Sequence, residues 1–333
     1  MLLDVLILIG GCVLILCGAN FLTDGASAMA KRWGVSDLVI GLTVVAFGTS
    51  APELVISVTS AIKGSAGLAI GNIVGSNIFN ILVIVGSVAI VSPIKVKKSY
   101  MTNEIPLVIL SALVLLICAN GVWLNGDASN EIDRVDGLLM LLFFAIFMRY
   151  TLSIAREKQV SAPTPVEANE AVGMAETDEV KDMAFWKAVI YVAGGLAALI
   201  FGGDLFVKGA SGVARGLNVS ESVIGLTIVA AGTSLPDLAA SLAAALKNKP
   251  GLAVGNIVGS NIFNIFFVLG VSSTVAPLPL GGITNVDFMV LLGACILFWV
   301  FGWLFKRRTI TRAEGVVLVS CFIAYTAYLV ANA

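Results

Sequence analysis

An internal duplication limits what this chain can fold into more than any other feature of its sequence. Residues 41–86 recur without a gap as residues 225–270, and 28 of the 46 aligned positions are identical. The same offset of 184 residues aligns residues 25–27 with residues 209–211, outside the best-matched block. The chain therefore holds two copies of one structural unit, and its fold must accommodate both.

The apolar content of the chain predicts that both copies lie in a membrane. Hydrophobic residues make up 58% of the 333 residues, charged residues make up 12%, and the mean hydropathy is +1.00. Such a chain has too little polar surface to cover a water-soluble globule. The first apolar run has no basic leader and no evident cleavage site, so we expect it to be retained as a span. Runs of about 20 residues, enough to cross a bilayer as a helix, lie near 2–22, 36–62, 67–92, 103–121, 134–155, 184–206, 219–246, 251–277, 285–305 and 313–331.

The number of runs in each copy fixes how the two copies are related. Each copy contains five of the ten runs, and after an odd number of crossings the second copy must enter the membrane from the opposite side. The sequence thus predicts an all-α integral membrane protein with ten transmembrane helices in two inverted five-helix repeats, and with broken helices in the repeat cores. The first repeat is 1–155, a linker is 156–183, and the second repeat is 184–333.

The distribution of basic residues predicts the orientation in the membrane. With the N-terminus outside, 16 of the 20 Lys and Arg residues fall on the cytoplasmic side and four fall outside. Cytoplasmic loops carry the excess of basic residues, so both termini are predicted to lie outside the cell, with the protein in the plasma (cell inner) membrane. The acidic, Pro-containing 156–183 segment is then a flexible cytoplasmic linker.

The composition and motifs disfavour several classes of function. The chain has no histidine, which is the commonest transition-metal ligand and the usual proton shuttle near neutral pH. Its five cysteines lie in apolar runs, which favours small buried side chains over a disulfide framework or a zinc site. No Walker-type loop, nucleophile elbow or metalloprotease motif is present. We therefore predict neither an enzyme, nor a bound cofactor, nor a nucleic-acid partner.

The second predicted span carries polar residues where hydrocarbon would surround it. The segment GTSAPE ends in Pro52 and Glu53, and proline removes a backbone hydrogen bond, so the helix should kink or unwind near Ala46–Thr49. Freed carbonyls at membrane depth are tolerated where they face protein or a water-filled cavity, which makes them candidate cation ligands. Ala46, Thr49 and Glu53 share one helix face. The second copy repeats this pattern in Ala230, Thr233 and Asp237, with Ser234 and Pro236 between them.

The third span adds amides and hydroxyls. Asn72, Ser76 and Asn80 follow one another at intervals of four residues on one stripe. The second copy carries Asn256, Ser260 and Asn264 at the matching positions. The neighbouring glycines are also explained by close helix packing, and for Asn72, Asn77, Asn256 and Asn261 a packing role and a place in the site are equally good interpretations. Packing does not explain Glu53 and Asp237, because intramembrane carboxylates usually mark ion paths.

The donor set indicates which ions would bind. Carboxylate, carbonyl, hydroxyl and amide oxygens without sulfur or imidazole favour hard cations such as Ca²⁺ and Na⁺. Two facing carboxylates carry a charge of about −2, which one Ca²⁺ neutralises and which Na⁺ ions match only when several enter together. Competition at one site with alternating access is exchange. A Ca²⁺/H⁺ exchanger that uses the same carboxylates is the alternative, followed by a passive cation channel.

At these residues the sequence resembles a known family. GTSAPE with GSNIFN, and GTSLPD with GSNIFN, are similar to the two alpha-repeats of the sodium/calcium exchanger (cation/calcium exchanger) superfamily. The resemblance implies an electrogenic antiporter, functional as a monomer in the lipid bilayer, that exchanges about three Na⁺ for one Ca²⁺ and needs no cofactor. It also implies that both ions share Glu53 and Asp237 and that Thr49 and Thr233 give backbone and hydroxyl oxygens. The surrounding residues would be Ala46, Ala230, Ser50, Ser234, Ser76, Ser260, Asn80 and Asn264.

Departures from the family pattern bear on the choice of ion. Some archaeal-type members and potassium-dependent relatives have a carboxylate at the position of Asn264, so the amide argues against a K⁺ requirement. The combination of Glu53, Asp237, Asn80 and Asn264 resembles the animal plasma-membrane exchangers. Proton-coupled relatives generally have two glutamates at the acidic positions, so Asp237 disfavours H⁺ coupling.

Overall fold

The structure is a computed structural model, and it describes residues 2–125, 129–160, 183–217, 230–304 and 308–332. Most of the predicted linker and the first third of the predicted 219–246 span lie outside the described residues. The side chain of Ala230 lies outside them as well.

Helices account for nearly all of the described chain. Eight of them are long and apolar enough to cross a membrane, and the bent pair α2–α3 makes a ninth span within the described residues. The predicted seventh span is represented by α8 alone, so nine of the ten predicted spans are found. The helices are α1 (Leu2–Trp33), α2 (Asp37–Thr49), α3 (Ala51–Ile62), α4 (Ala66–Val91), α5 (Tyr100–Cys118), α6 (Arg134–Val160), α7 (Phe185–Gly216), α8 (Leu235–Leu246), α9 (Pro250–Val275), α10 (Asn285–Leu304) and α11 (Arg312–Asn332). Short helices occupy Gly121–Asn125 and Ala230–Gly232.

The packing of α1 against α7 demonstrates the inverted relation of the repeats. These two helices occupy equivalent positions in the two copies. A Cβ atom added to Gly11 would lie 2.5 Å from the backbone nitrogen of Phe206, and one added to Gly25 would lie 2.9 Å from that of Val192. Contacts therefore move towards the start of α7 as α1 advances, which means that the equivalent helices run antiparallel. The prediction of two inverted repeats is confirmed.

Glycines at intervals of seven residues allow this close contact. They are Gly11, Gly18 and Gly25 on α1 and Gly195, Gly202 and Gly209 on α7, and an added Cβ at each would meet the partner helix at 3.0 Å or less. Seven residues are almost two helical turns, so each set forms one stripe. Small residues on such a stripe let helix backbones approach and gain van der Waals contact, the main source of helix association in lipid.

Two short sheets join the repeats at their ends. Ile94–Lys95 pairs with Thr309–Ile310, and Glu131–Ile132 pairs with Leu278–Pro279, in both cases antiparallel. Each sheet contains one strand from each repeat, so backbone hydrogen bonds connect the two repeats. The sequence did not predict these strands, because two-residue segments give no readable alternation of apolar and polar residues.

The centre of the molecule is formed by α4 and α9, which have the largest share of buried residues among the eight long apolar helices, whereas fewer than a third of the residues are buried in the apolar parts of α1 and α7. α9 crosses α2 at a glycine contact, where a Cβ added to Gly41 would lie 2.9 Å from the Cα of Gly255. This crossing brings the broken helix of the first repeat against the amide-bearing helix of the second. The mirror contact would involve 225–229, which lie outside the described residues.

Candidate cation site

The helix of the second span breaks at Ser50. α2 and α3 meet there at a bend of 46°, and Ser50 leaves helical geometry with φ −84° and ψ 4°. A kink or unwinding was expected near Ala46–Thr49; the kink is confirmed one residue beyond that segment, whereas the segment itself remains α-helical. The reason is that Pro52 has no N–H to donate to the carbonyl of Gly48, four residues earlier. The preceding turn, Ala46–Thr49, does not depend on that missing hydrogen bond and stays helical. A π-helical stretch, Gly41–Val45, precedes the break.

The second repeat breaks in the same way. Ser234 has φ −89° and ψ 1°, and α8 begins at the next residue with Pro236 in its first turn. Glu53 and Asp237 thus lie in the first turns of α3 and α8. Backbone N–H groups at a helix N-terminus create a positive potential that stabilises carboxylates. The proline that breaks each span therefore also prepares a favourable position for its acid.

The two carboxylates lie together at the interface of the repeats. Both Glu53 and Asp237 are 0% exposed, and Asp237 is close enough for its negative charge to act on Glu53. Within the described residues there is no cluster of three or more acidic, cysteine or histidine side chains. Such a site carries two charges and otherwise neutral oxygens, which favours binding that is reversible over permanent retention of a metal.

Hydrogen bonds hold Asp237 firmly in the second repeat. Ser260 Oγ donates to Asp237 Oδ1 over 2.6 Å. Asn256 Nδ2 lies 3.1 Å from the same carboxylate oxygen, 3.3 Å from the Asp237 carbonyl and 3.0 Å from Ser241 Oγ. Hydrogen bonds to a charged acceptor are among the strongest in proteins, so one oxygen of Asp237 is fixed.

The equivalent contacts in the first repeat are longer. Ser76 Oγ is 3.5 Å from Glu53 Oε1, at the limit of a hydrogen bond. Asn72 Nδ2 donates to Ser57 Oγ over 3.1 Å and lies 3.5 Å from the Glu53 carbonyl. The first repeat thus lacks the amide contact to the carboxylate that Asn256 makes to Asp237, and its serine contact is longer, so Glu53 is the less constrained carboxylate.

Threonines connect each repeat to the acid of the other. Thr49 Oγ1 lies 2.9 Å from the Val45 carbonyl and 3.1 Å from Asn256 Oδ1, and its side chain faces Asp237. Thr233 faces Glu53, but its hydroxyl makes no hydrogen bond. Each carboxylate is therefore approached by a hydroxyl from the opposite repeat.

Around the carboxylates is a set of buried oxygens without hydrogen-bond partners. Buried polar groups are normally hydrogen-bonded, and each exception requires an explanation. A cation that accepts electron pairs from all of them is such an explanation. The unpartnered oxygens that the sequence predicted as ligands are Ser50 Oγ, Glu53 Oε2, Asn80 Oδ1, Thr233 Oγ1, Ser234 Oγ, Asp237 Oδ2 and Asn264 Oδ1; Asn261 Oδ1 and the nitrogen Asn80 Nδ2 are unpartnered as well.

The structure brings together most of the residues that the sequence predicted for the site. Ala46 is buried beside them, and its carbonyl lies 3.3 Å from Thr49 Oγ1; for Ala230 only the backbone is described. Asn256 and Asn72, for which a packing role was equally good, both contact the segments that carry the acids. Sequence reasoning missed Ser57 and Ser241. Their signal was present, because they match each other at the 184-residue offset.

Inverted repeats that place two broken helices and two buried carboxylates at a shared interface define an ion-transporting membrane protein. Comparison with known proteins agrees. The family model described as "Sodium/calcium exchanger protein" matches residues 3–153 and 187–331, which is nearly all of both repeats. The chain belongs to the sodium/calcium exchanger family, whose members are transporters and not enzymes, and this membership supports the exchange of a cation for Ca²⁺.

Individual relatives match along almost the whole chain. The "Putative antiporter CaxA" of Alkalimonas amylolytica is 36% identical over 98% of both chains. The "Sodium/calcium exchanger MaX1" of Methanosarcina acetivorans is 31% identical over 97% of both. A solved structure of the sodium-calcium exchanger NCX_Mj, soaked with Na⁺ and Ca²⁺, superposes with a TM-score of 0.79 at 31% identity and covers 98% of both chains.

Proposed function

We propose that this chain is an electrogenic antiporter that exchanges about three Na⁺ for one Ca²⁺ by alternating access, in the plasma membrane and as a monomer with both termini outside. The observation that supports this most directly is the pair of buried carboxylates, one from each inverted repeat, whose free oxygens Glu53 Oε2 and Asp237 Oδ2 lie among unpartnered hydroxyls and amides. A buried charge pair of the same sign is costly without a counter-ion. Ions must therefore enter for the pair to remain ionised.

The ion ligands in this proposal are the residues that surround the two acids. Ca²⁺ and Na⁺ compete for Glu53 and Asp237, and the hydroxyl, amide and carbonyl oxygens complete whichever coordination shell is present. Because one Ca²⁺ cancels both charges and three Na⁺ exceed them, the two loaded forms differ by one charge. Transport is then sensitive to membrane potential. The supporting residues are Thr49, Thr233, Ser50, Ser234, Ser76, Ser260, Asn80 and Asn264, with the backbones of Ala46 and Ala230.

The test uses purified protein in proteoliposomes loaded with Na⁺ and diluted into Na⁺-free medium with ⁴⁵Ca²⁺. We expect rapid Ca²⁺ uptake that disappears when Na⁺ is equal on both sides and that changes with a K⁺ diffusion potential set by valinomycin. Uptake that ignores the Na⁺ gradient would refute the proposal. Uptake driven by a pH gradient without Na⁺ would instead establish the Ca²⁺/H⁺ alternative.

A matched control is available for the site itself. Glu104 is also a buried carboxylate in a spanning helix, but it accepts a hydrogen bond from Tyr150 over 3.0 Å and is outside the candidate site. Glu53→Gln should abolish Na⁺-dependent uptake, whereas Glu104→Gln should keep it. Equal loss in both variants would show that the charge of Glu53 has no special role.

A further inference from the structure

The ten residues GNIVGSNIFN occur twice, at 71–80 in α4 and at 255–264 in α9, with no difference between the copies. Their hydrogen bonds nevertheless differ. Identical sequences in equivalent positions would form identical hydrogen-bond networks in a symmetric molecule. The difference therefore means that the two repeats adopt different conformations where they contact each other. The asparagines at positions 77 and 80, and their twins Asn261 and Asn264, carry this asymmetry.

On one side of the pseudo-twofold axis the amides form a relay between the repeats. Asn77 Nδ2 donates to the backbone carbonyl of Asn261 over 3.3 Å, and Asn264 Nδ2 donates to Asn77 Oδ1 over 3.0 Å. A backbone carbonyl can only accept, so it fixes which atom of Asn77 is the donor. Asn77 Oδ1 is then the atom that accepts a hydrogen bond from the NH₂ group of Asn264. The Asn264 oxygen is left without a hydrogen-bond partner.

The mirror relay is absent, although both of its atoms are available. Its central bond would run from Asn80 Nδ2 to Asn261 Oδ1, and both atoms are buried without a hydrogen-bond partner. Asn261 Nδ2 donates to the Ile257 carbonyl of its own helix over 2.7 Å instead. Asn80 faces Asp237 without bonding to it. The ligand amide of the first repeat is therefore not anchored in this state.

We propose that Asn77 and Asn261 are positioning residues of the exchange reaction, each of which orients the ligand amide of the opposite repeat, and that the two relays form in opposite-facing states. This inference rests on the proposed function. In the state described here Asn77 holds Asn264 as a ligand; after the repeats exchange roles, Asn261 turns from Ile257 and holds Asn80. An inverted repeat supplies both arrangements with one sequence.

The first test is Ca²⁺ binding to the purified protein by titration calorimetry. Asn77→Leu removes the acceptor and should weaken binding about three- to tenfold, the effect of losing one buried hydrogen bond. In an Asn264→Leu background the same change should cost almost nothing further, because the two residues act as a unit. Asn77→Ala removes the acceptor without added bulk and replaces the leucine variant if that variant aggregates.

The second test is transport measured from each membrane face in right-side-out and inside-out vesicles. Asn77→Leu should raise the apparent KM for Ca²⁺ at one face about three- to tenfold, and Asn261→Leu should raise it at the other. A merely structural role would lower the maximal rate at both faces alike, and that result would overturn the inference. Additive effects in the Asn77 and Asn264 cycle would overturn it as well. Absence of Ca²⁺ binding in the wild type would refute the proposed function, and this inference with it.

Discussion

Replacing a single glycine in the α1–α7 contact should destabilise the protein, while replacing its neighbour should not. The pair is Gly195 and Gly194 on α7. A Cβ added at Gly195 would lie 2.6 Å from the backbone nitrogen of Leu22 and 2.8 Å from the carbonyl of Gly18, whereas one added at Gly194 would meet no atom within 4 Å. Gly195→Ala and Gly194→Ala therefore differ only in what the new methyl group contacts.

The size of the effect follows from these distances. Non-bonded heavy atoms are comfortable at about 3.5–4.0 Å, so the methyl group at position 195 must push two backbones apart by roughly 1 Å. Backbone cannot rotate away as a side chain can, and overpacking of this kind costs about 1–3 kcal/mol. Both variants gain the same helix propensity of alanine over glycine, about 1 kcal/mol. That gain cancels when the two variants are compared.

The measurement is thermal unfolding of the purified variants in one detergent, at one scan rate. The expected difference of about 1–3 kcal/mol corresponds to a midpoint about 2–10 °C lower for Gly195→Ala than for Gly194→Ala. The inverted repeat provides an independent copy of the experiment. Gly11 would place its Cβ 2.5 Å from Phe206, and Gly10 would meet nothing within 4 Å. Midpoints that agree within 1 °C in both pairs would refute the claim that the glycine stripes set the distance between the repeats.

Three further outcomes are expected at the site. Asp237→Asn should abolish Na⁺-dependent ⁴⁵Ca²⁺ uptake as Glu53→Gln does, because each removes one of the two charges that a divalent ion needs; uptake above a tenth of wild type in either would place the ion elsewhere. Ser260→Ala should lower stability in ion-free buffer by about 0.5–1.5 kcal/mol, the value of an ordinary hydrogen bond, because the carboxylate pair does not stay fully ionised without cations. Ser76→Ala, whose hydroxyl is 3.5 Å from its carboxylate, should change stability by less than about 0.5 kcal/mol. Thermal melts compare the two variants, and equal losses would contradict the asymmetry. Thr233→Val removes a hydroxyl without a hydrogen-bond partner, so its ion-free stability should match wild type within about 0.5 kcal/mol, and a larger loss would show that the hydroxyl has a structural partner.

The duplication made the architecture predictable. Once the offset of 184 residues was clear, an odd number of spans in each copy required inversion, and the antiparallel contact of Gly11 with Phe206 shows it directly. The position of the helix break was predicted less well. Proline in a span indicates that a bond is lost, but whether the chain bends before or after Thr49 depends on the packing around it. That packing comes from α9 of the other repeat, which local sequence does not describe.

The candidate site was likewise predictable in part, and its remaining residues depended on contacts between the repeats. Carboxylates in hydrocarbon are readable from sequence, because their desolvation cost requires a function. Asn256 was not separable from a packing residue, since an amide in a glycine-rich helix satisfies both interpretations. What distinguishes it is a contact across 19 residues to Asp237, together with one across 207 residues to Thr49. Such contacts become visible only when the repeats are placed together.

The asymmetry of the two amide relays could not be predicted from sequence, because the two segments that form them are identical. The same identity limits the free-energy difference between the two relay states. The segments 71–80 and 255–264 are identical, so the state with the relays exchanged has the same local chemistry and differs only where the repeats differ, as at Glu53 and Asp237. Conformations that both take part in a working cycle lie within a few kcal/mol of each other. One or two neutral hydrogen bonds, at about 0.5–1.5 kcal/mol each, have the right size to bias such an equilibrium without locking it. A relay of stronger, charged bonds would hold the exchanger in one state, and amides are therefore suited to a contact that must be broken and remade in every turn of transport.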